Sequence, residues 1–379
     1  MKNWFKITML AALAAPLACS EVEVDEAPLK AVSFNVGTYS PQTRAEGDPV
    51  SVIDQDGIEA FSCRAYLHAQ GFAGTAQESS DFFGPAPTTI SWHSDTKEWL
   101  PPHDYYWPKG SESYVDFISW YGGNPTISYS KTGTTYGATF SWNLTEPLAT
   151  TENLMWADVA WRYKANVNPA TYGKNYVEEG VPTLFHHALA QVYFQARLSK
   201  VSDGDVSWEV KVTDFKLTKV RKTGSFSLKI SDPGTNKTSA WEAGTESEIG
   251  WTGLSGAGEI SASITDPITL SGADTKILGW SSVLPQDLDE TGNEVGISIT
   301  YTVTTKYGTT VKTVEEPVPA VNALLKEFKT GTGENDYIKK WERNKRYTYT
   351  IIIDPDTGVI KLIPVETDWV DAGSFDLTV

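Results

Sequence analysis

The stretch Val32-Ser33-Phe34-Asn35-Val36 alternates apolar and polar side chains without a break. Because neighbouring side chains of a strand point to opposite faces, this pattern predicts a strand with one buried and one wet face. Such a strand needs a sheet to join. Short apolar or aromatic runs separated by turn residues recur along the rest of the chain, so a β protein is predicted.

The residues before this strand carry a secretory signal. A lysine-containing start precedes the apolar run Ile7–Leu17, which is far shorter than the ~20 residues that a membrane-spanning helix needs. Residues 1–18 are therefore predicted to be a cleaved signal peptide. Pro16-Leu17-Ala18 before Cys19 resembles the lipobox of bacterial lipoproteins, although leucine is usual in place of Pro16.

Cys19 is predicted to be acylated and to anchor the chain in the outer membrane. A diacylglycerol together with a second chain gives stable attachment, because one acyl chain alone binds only marginally. The acids within residues 20–29 resemble the signal that carries lipoproteins of Bacteroidetes to the cell surface. A solvated tether explains them as well. An ordinary signal peptide that happens to contain a cysteine is the alternative to lipidation.

The segment after the first strand has the composition of an exposed linker. Pro41 and Gly47 are turn residues, and Arg44, followed by Ala45, lies between them. An exposed arginine is accessible to a trypsin-like protease. Residues 19–44 are therefore predicted to form a tether and an N-terminal strand that proteolysis removes, with retention of the strand as the alternative.

Composition and charge argue against several classes of function. The 379-residue chain has a formal net charge of −17, which argues against nucleic acid, because binding a polyanion relies on lysine and arginine. Its 14 Trp and 17 Tyr suit pleated sheets joined by turns better than helices. With Cys19 assigned to lipid, only Cys63 remains, so neither an intrachain disulfide nor a thiolate metal cluster is expected.

The strand and turn signals divide the chain into two β units. Residues 45–184 are predicted to form an N-terminal β-sandwich domain and residues 185–379 a C-terminal one. Phe185–Leu198 is predicted to be a turn leading into the strand that opens the second domain. One short helix is predicted after Pro319, where apolar residues recur at helical spacing. Other predicted strands include Ile58–Tyr66, Tyr114–Tyr121, Ala138–Trp142, Ser207–Val220, Ser225–Ile230, Val295–Thr305, Arg346–Ile353 and Val359–Ile363.

No catalytic, cofactor or metal site is predicted. His186 and His187 would point to opposite faces of a strand, so both are interpreted as structural. Asp354 and Asp356 lack the spacing of a calcium loop and fit a hairpin turn. The sequence contains neither a glycine-framed nucleophilic serine nor a dinucleotide loop, so an enzyme is not expected.

Aromatic residues near loops of the first domain are a candidate ligand surface. Such rings can stack on a glycan, although the same side chains also build sandwich cores and subunit interfaces. The residues concerned are Trp92, Trp99, Trp107, Trp120, Tyr105 and Tyr106.

Several motifs follow one another in a recognisable order along nearly the whole chain. They are Thr43-Arg44-Ala45, Leu154-Met155-Trp156-Ala157, Phe185–Ala196, Leu284-Pro285-Gln286, Trp341, Arg346–Ile351 and Trp369. No single motif is specific. In this order, and together with the lipobox, they resemble the fimbrillin family of Bacteroidetes, the lipoprotein precursors of type V pili.

The resemblance implies an all-β fold of two transthyretin-like β-sandwich domains and assembly by strand exchange. In that family a trypsin-like protease cuts after an arginine, the N-terminal strand leaves, and a strand from the next subunit fills the groove. Removing a strand exposes unpaired N–H and C=O groups and an apolar trough, which a complementary strand can fill. Here the displaced strand would carry Val32, Phe34 and Val36.

The C-terminus is the candidate donor strand. Phe375, Leu377 and Val379 alternate with polar residues, as the apolar residues of the N-terminal strand do. A strand that completes its own domain is the alternative. The run after Trp369 is also short for a stalk subunit's donor region, which leaves a tip or accessory subunit as an option.

The predicted function is a fimbrial structural subunit that supports adhesion from the cell surface. Its predicted partners are other fimbrial subunits, the outer membrane through lipid on Cys19, a trypsin-like processing protease, and a host glycan or protein. The alternative is a non-polymerising surface lipoprotein that binds a glycan or host protein, or a tip or accessory fimbrial adhesin.

Overall fold

The computed structural model describes most of the chain, and the described part is made almost entirely of strands. The described residues are 31–38, 59–69, 80–108, 113–132, 135–145, 153–163, 180–231, 249–262, 264–272, 274–308, 312–328 and 337–368.

The strands follow one another with turns between them. In the first half they are β1 (Phe34–Thr38), β2 (Ala60–Ala69), β3 (Ser80–Asp81), β4 (Thr88–His93), β5 (Glu98–Leu100), β6 (Ser113–Tyr121), β7 (Thr126–Thr132), β8 (Thr135–Leu144), β9 (Met155–Ala157), β10 (Ala160–Tyr163) and β11 (Val181–His187). In the second half they are β12 (Ala190–Leu198), β13 (Ser202–Asp203), β14 (Val206–Val220), β15 (Thr223–Ser231), β16 (Ile249–Ser255), β17 (Gly258–Ser261), β18 (Ile268–Leu270), β19 (Lys276–Val283), β20 (Gln286–Asp287), β21 (Gly296–Tyr307), β22 (Lys312–Leu324), β23 (Lys340–Trp341), β24 (Lys345–Ile353) and β25 (Ile360–Asp368), with a 3-10 turn at Leu325–Glu327.

The all-β prediction is confirmed. The strand predicted at Ser207–Val220 is β14, and the one predicted at Arg346–Ile353 is β24. Both alternate between buried and more accessible side chains, because each has one face on a core.

The predicted helix after Pro319 is wrong. β22 continues through this segment and pairs with β21, where Val321 lies opposite Ile299. The register shifts next to this pair, so that Val318 and Val321 both pack on the core although they are three positions apart. The bulge reproduces helical spacing within a strand, and the 3-10 turn Leu325–Glu327 extends that spacing by one turn.

The predicted turn at the start of Phe185–Leu198 is also wrong. Phe185 lies in β11, which is buried along its whole length, and the chain bends at Ala188-Leu189 before β12 begins. The alternation that predicted a strand up to Leu198 is confirmed by β12. The division of the chain into domains at residue 185 stays a prediction.

A nine-stranded sheet from the first half contains β1. Its strand order is β10-β6-β9-β11-β1-β5-β4-β2-β3, and β6 also pairs with β2. The sheet therefore curls back on itself. Aromatic side chains fill its interior, among them the buried Phe61, Trp99 and Phe117.

A second sheet is shared between the two halves of the chain. Its order is β16-β15-β8-β7, and Phe226 on β15 lies opposite Trp142 on β8. The sheet packs on the nine-stranded one through contacts such as Trp120 to Phe140, whose ring centroids are 6.1 Å apart. The β15–β16 hairpin of the second half thus completes a layer that covers the first half.

Two further sheets enclose a separate core in the second half. The sheet β19-β12-β24-β25 faces a six-stranded sheet in which β14 pairs with β13, β17, β18 and β21, and β21 pairs with β22. Phe194 of the first sheet lies 4.8 Å from Phe215 of the second and stacks on Tyr349 at 5.1 Å. Burial raises the pKa of the Tyr349 phenol, whose oxygen accepts a hydrogen bond from Trp341 Nε1 at 2.9 Å. This pairing satisfies both polar groups inside the core.

We expect Phe226→Ala to destabilise the protein, because this buried ring contacts Trp142 and Trp251 in the shared sheet. Truncating a buried phenylalanine typically costs ~3–5 kcal/mol. Denaturant unfolding followed by tryptophan fluorescence measures the loss. Ser227→Ala at the exposed neighbouring position is the control, with an expected change within ~0.5 kcal/mol. Equal stability of the two variants would contradict a shared layer held by Phe226.

Candidate functional site

The N-terminal strand β1 is held along one whole edge and at the start of the other. It runs parallel to β11, with Phe34 opposite Val181, and the Val181 N–H donates to the Ser33 carbonyl at 2.7 Å. On the other edge Phe34 pairs with Trp99, and the Val32 N–H donates to the Tyr105 carbonyl at 2.7 Å. Within the described residues, pairing on this second edge is confined to the first half of the strand.

The side chains of β1, together with that of Val32 just before it, fill an apolar trough. Val32, Phe34 and Val36 are 0%, 4% and 3% exposed, whereas Asn35 between them is exposed. The Phe34 ring meets Phe61 at 5.7 Å and Phe117 at 5.6 Å, both in edge-to-face geometry. This geometry is favoured between aromatic rings. The trough therefore has an aromatic pocket at its centre and sites for aliphatic side chains on either side.

Gly180 allows β1 to approach β11 closely. Its φ is +83°, and a Cβ added there would lie 2.8 Å from the Phe34 carbonyl carbon. Any other residue would strain this turn and push on the β1 backbone. Sequence reasoning missed Gly180, although a glycine directly before a buried apolar run is the signal that marks it.

The segment Pro101–Pro108 covers the beginning of β1. Ala31 forms an isolated antiparallel bridge with Tyr106. Tyr105 packs on Phe83 at 4.6 Å, and its hydroxyl donates to the Phe83 carbonyl at 3.2 Å. Phe83 in turn contacts Phe34 at 6.4 Å. The segment therefore stabilises both the backbone and the side chains of the strand.

Half of the residues of the predicted aromatic ligand surface are buried. Trp99, Trp107 and Trp120 are buried in the cores of the first half, because they fill the curled sheet and the layer beneath it. Tyr106 alone of the six is largely exposed, at 47%. These three tryptophans therefore cannot contribute to a ligand surface, whereas a smaller surface of Trp92, Tyr105 and Tyr106 stays a prediction.

A polar cluster holds the end of β11. His186 Nε2 lies 3.0 Å from Asp158 Oδ1, and the His186 ring stacks on Trp156. His187 Nδ1 lies 2.9 Å from Asn153 Oδ1. The two histidines thus have different partners, as expected of neighbours in a strand. In the described part of the chain, no group of three or more His, Cys, Asp or Glu residues is arranged to hold a metal ion.

An exposed aromatic ladder lies on the outer face of the sheet β19-β12-β24-β25. Tyr193 and Trp280 are cross-strand neighbours whose rings stack at 6.0 Å, and Trp280 is 44% exposed. Arg346 Cζ lies 5.1 Å from the Tyr193 ring centre. Ile363 on the edge strand β25 is exposed as well. This face carries the groups that protein and sugar partners contact.

The remaining predicted site residues lie outside the described residues. They are Cys19, Arg44, Ala45, Phe375, Leu377 and Val379. None of the described helical segments is long and apolar enough to cross a membrane.

Comparison with known proteins gives a family match over most of the chain. A family model described as fimbrillin-like matches residues 43–369. No curated protein matches the chain.

Solved structures show similarity at low identity. A fimbrial protein from Bacteroides vulgatus is 13% identical, with a TM-score of 0.49, and the match covers 90% of this chain and 100% of that one. The tip fimbrial protein Mfa3 from Porphyromonas gingivalis, truncated at its C-terminus, is 10% identical with a TM-score of 0.30, covering 82% of this chain and 95% of that one.

We expect Phe34→Ala to loosen β1 in the intact protein, because the substitution empties the aromatic pocket. The loss should be ~3–5 kcal/mol for a buried phenylalanine. Hydrogen exchange of the β1 amides and thermal unfolding measure it. Asn35→Ala, at the exposed position of the same strand, is the control and should change neither. If the two variants behave alike, the Phe34 ring does not anchor the strand.

Proposed function

The chain belongs to the fimbrillin-like family, and on that premise we propose that it is a fimbrial subunit, cut after Arg44 and assembled by donor-strand exchange. Membership of this family makes it a structural protein of a cell-surface fimbrium rather than an enzyme. Acylation of Cys19 anchors the precursor in the outer membrane, and the acids that follow Cys19 direct it to the surface. The assembled fimbrium supports adhesion.

The burial of β1 inside the nine-stranded sheet is the observation that carries the proposal. This short strand near the N-terminus fills the interior of a large sheet with Val32, Phe34 and Val36. Burying three such side chains contributes on the order of 5–9 kcal/mol before entropy is subtracted. A strand that contributes so much through three side chains, and that pairs along its whole length with only one neighbour, is suited to replacement by a similar strand.

Cleavage is needed because the effective concentration of β1 at its own binding site is high in the intact chain. The groove is the apolar trough together with the edge of β11. While the chain is intact, the linker holds β1 beside this groove, and a strand from another molecule cannot compete with an intramolecular one. Cutting between Arg44 and Ala45 turns β1 into a separate peptide. Its departure exposes the β11 edge and the aromatic pocket, both of which favour a new strand.

Repetition of this step gives a fibre. The donor strand is the C-terminal run that carries Phe375, Leu377 and Val379. The groove and the donor are different surfaces of the subunit, so the contact is head to tail, and it extends into a fibre as long as successive subunits do not close into a ring.

A surface adhesin that does not polymerise, or that sits at the tip, is the second candidate function. The exposed ladder of Trp280, Tyr193 and Arg346 supports it, because stacked rings and a guanidinium suit contacts with a host glycan or protein. An adhesin of this kind needs neither cleavage nor a donor strand.

Arg44→Ala separates the two functions. The variant should remain uncut and monomeric, because β1 stays tethered. N-terminal sequencing should find Ala45 first in the unsubstituted protein only, and unheated gel electrophoresis should show ladders only there. Thr43→Ala keeps the arginine and should assemble normally. Ladders from uncut Arg44→Ala would rule out the processing step.

Deleting Phe375–Val379 tests the donor. The shortened chain should fold and be cut, yet it should end the fibres that it joins, because it can accept a strand but cannot donate one. Mixing it with the full-length protein should therefore shorten the polymers in proportion to its share. Asp376→Asn is the control and should leave polymer length unchanged, whereas unchanged length with the deletion would exclude this strand as donor.

A further inference from the structure

We propose that the groove accepts the C-terminal strand of a second copy of this chain in one register, with Ala372–Val379 replacing Ala31–Thr38 parallel to β11. The inference rests on the proposed strand exchange. It adds the direction of the donated strand, its register and the side chain that enters each site.

The two segments share a sequence in the same chain direction. Ala31–Thr38 reads Ala-Val-Ser-Phe-Asn-Val-Gly-Thr, and Ala372–Val379 reads Ala-Gly-Ser-Phe-Asp-Leu-Thr-Val. Ala, Ser and Phe are identical at the same places, Asn is replaced by the similarly shaped Asp, and Val by Leu. This correspondence is closer than a shared alternation of apolar and polar residues.

Two of the three identical residues lie at buried positions of the groove. Ser33 and Phe34 are buried, and both recur unchanged as Ser374 and Phe375. Asn35 is exposed, so a charged Asp376 at that position stays in water and loses no hydration. The donor thus keeps the buried Ser and Phe and changes the exposed Asn, whereas the buried Val32 has no counterpart of its size.

The backbone contacts of β1 can also be reproduced in this register. The Val32 N–H, which donates to Tyr105, would be replaced by that of Gly373. The Ser33 carbonyl, which accepts from Val181, would be replaced by that of Ser374. Neither position is a proline, so both groups are available.

A register in which the donor is shifted by two residues toward Ala31 fits the trough less well. Shifting the donor by two residues brings Phe375 to the site of Val32 and Leu377 to the aromatic pocket of Phe34. It also places Asp376 at the position of Ser33, which is 7% exposed. A buried charge without a partner is costly, and an aromatic ring does not fit a valine site without repacking.

One site stays unfilled in the proposed register. Gly373 occupies the place of Val32, whose side chain is fully buried. The donor therefore leaves a gap beside the segment Pro101–Pro108. A larger apolar side chain at this position should strengthen the contact, which is a gain that only this register predicts.

Grafts into β1 of the intact full-length chain test the register without strand exchange. The in-register graft carries Val32→Gly, Asn35→Asp and Val36→Leu, and the graft shifted by two residues carries Val32→Phe, Ser33→Asp, Phe34→Leu and Asn35→Thr. We expect the in-register graft to unfold at a higher denaturant concentration than the shifted one. Keeping Val32 while retaining Asn35→Asp and Val36→Leu should restore most of the wild-type stability. A shifted graft that is as stable as the in-register graft would overturn the register.

Peptide binding then tests the exchange itself. Full-length protein cut after Arg44 is mixed with labelled peptides of the sequence Ala372–Val379, and Gly373→Val should bind roughly tenfold more tightly than the natural sequence. Asp376→Val is the matched control, because its added side chain would face water, and it should not tighten binding. Equal tightening by both would overturn the register. Failure of every peptide, including one of the sequence Ala31–Thr38, would instead overturn strand exchange, and with it this proposal, whatever the grafts show.

Discussion

The packing of the Phe34 ring is the interaction on which the first half of the molecule depends. The ring meets Phe61 and Phe117 edge to face inside a sheet that curls around it. The backbone of Phe34 can lie this close to β11 only because Gly180, directly before β11, has no side chain. Any strand that replaces β1 therefore has to present an aromatic residue at this point and an apolar residue two positions later, where Val36 is buried. The same contact that stabilises the precursor thus defines what the groove can accept.

The shared sheet links this groove to the second half. Because β15 pairs with β8 from Gly224 to Ser231, the layer beneath the groove contains strands from both halves of the chain. The second core lies between the β24 and β14 sheets. It is connected to that layer by the short segment of chain that leads from β14 to β15.

Local patterns in the sequence predicted the strands well and their surroundings poorly. The alternation in Ser207–Val220 and Arg346–Ile353 matches β14 and β24 closely, because a strand with one buried face imposes a period of two. The bulge near Val321 imitates the spacing of a helix, so the pattern there was misleading. Tryptophans near loops, such as Trp99, proved to be buried, since composition gives no information on which side of a sheet a ring lies.

The sequence by itself determined that a strand with one apolar face lies near Val32–Val36, that the chain is all-β, and that its motifs follow the fimbrillin order. The structure places this strand two residues later, at Phe34–Thr38. Only the tertiary structure decided that this strand runs parallel to β11, that Phe34 enters an aromatic pocket, and that a hairpin of the second half completes a layer of the first. The physical reason is that alternation is a local property. Strand pairing, in contrast, joins residues as distant as Phe34 and Val181, and their register depends on side chains that meet only in the folded chain.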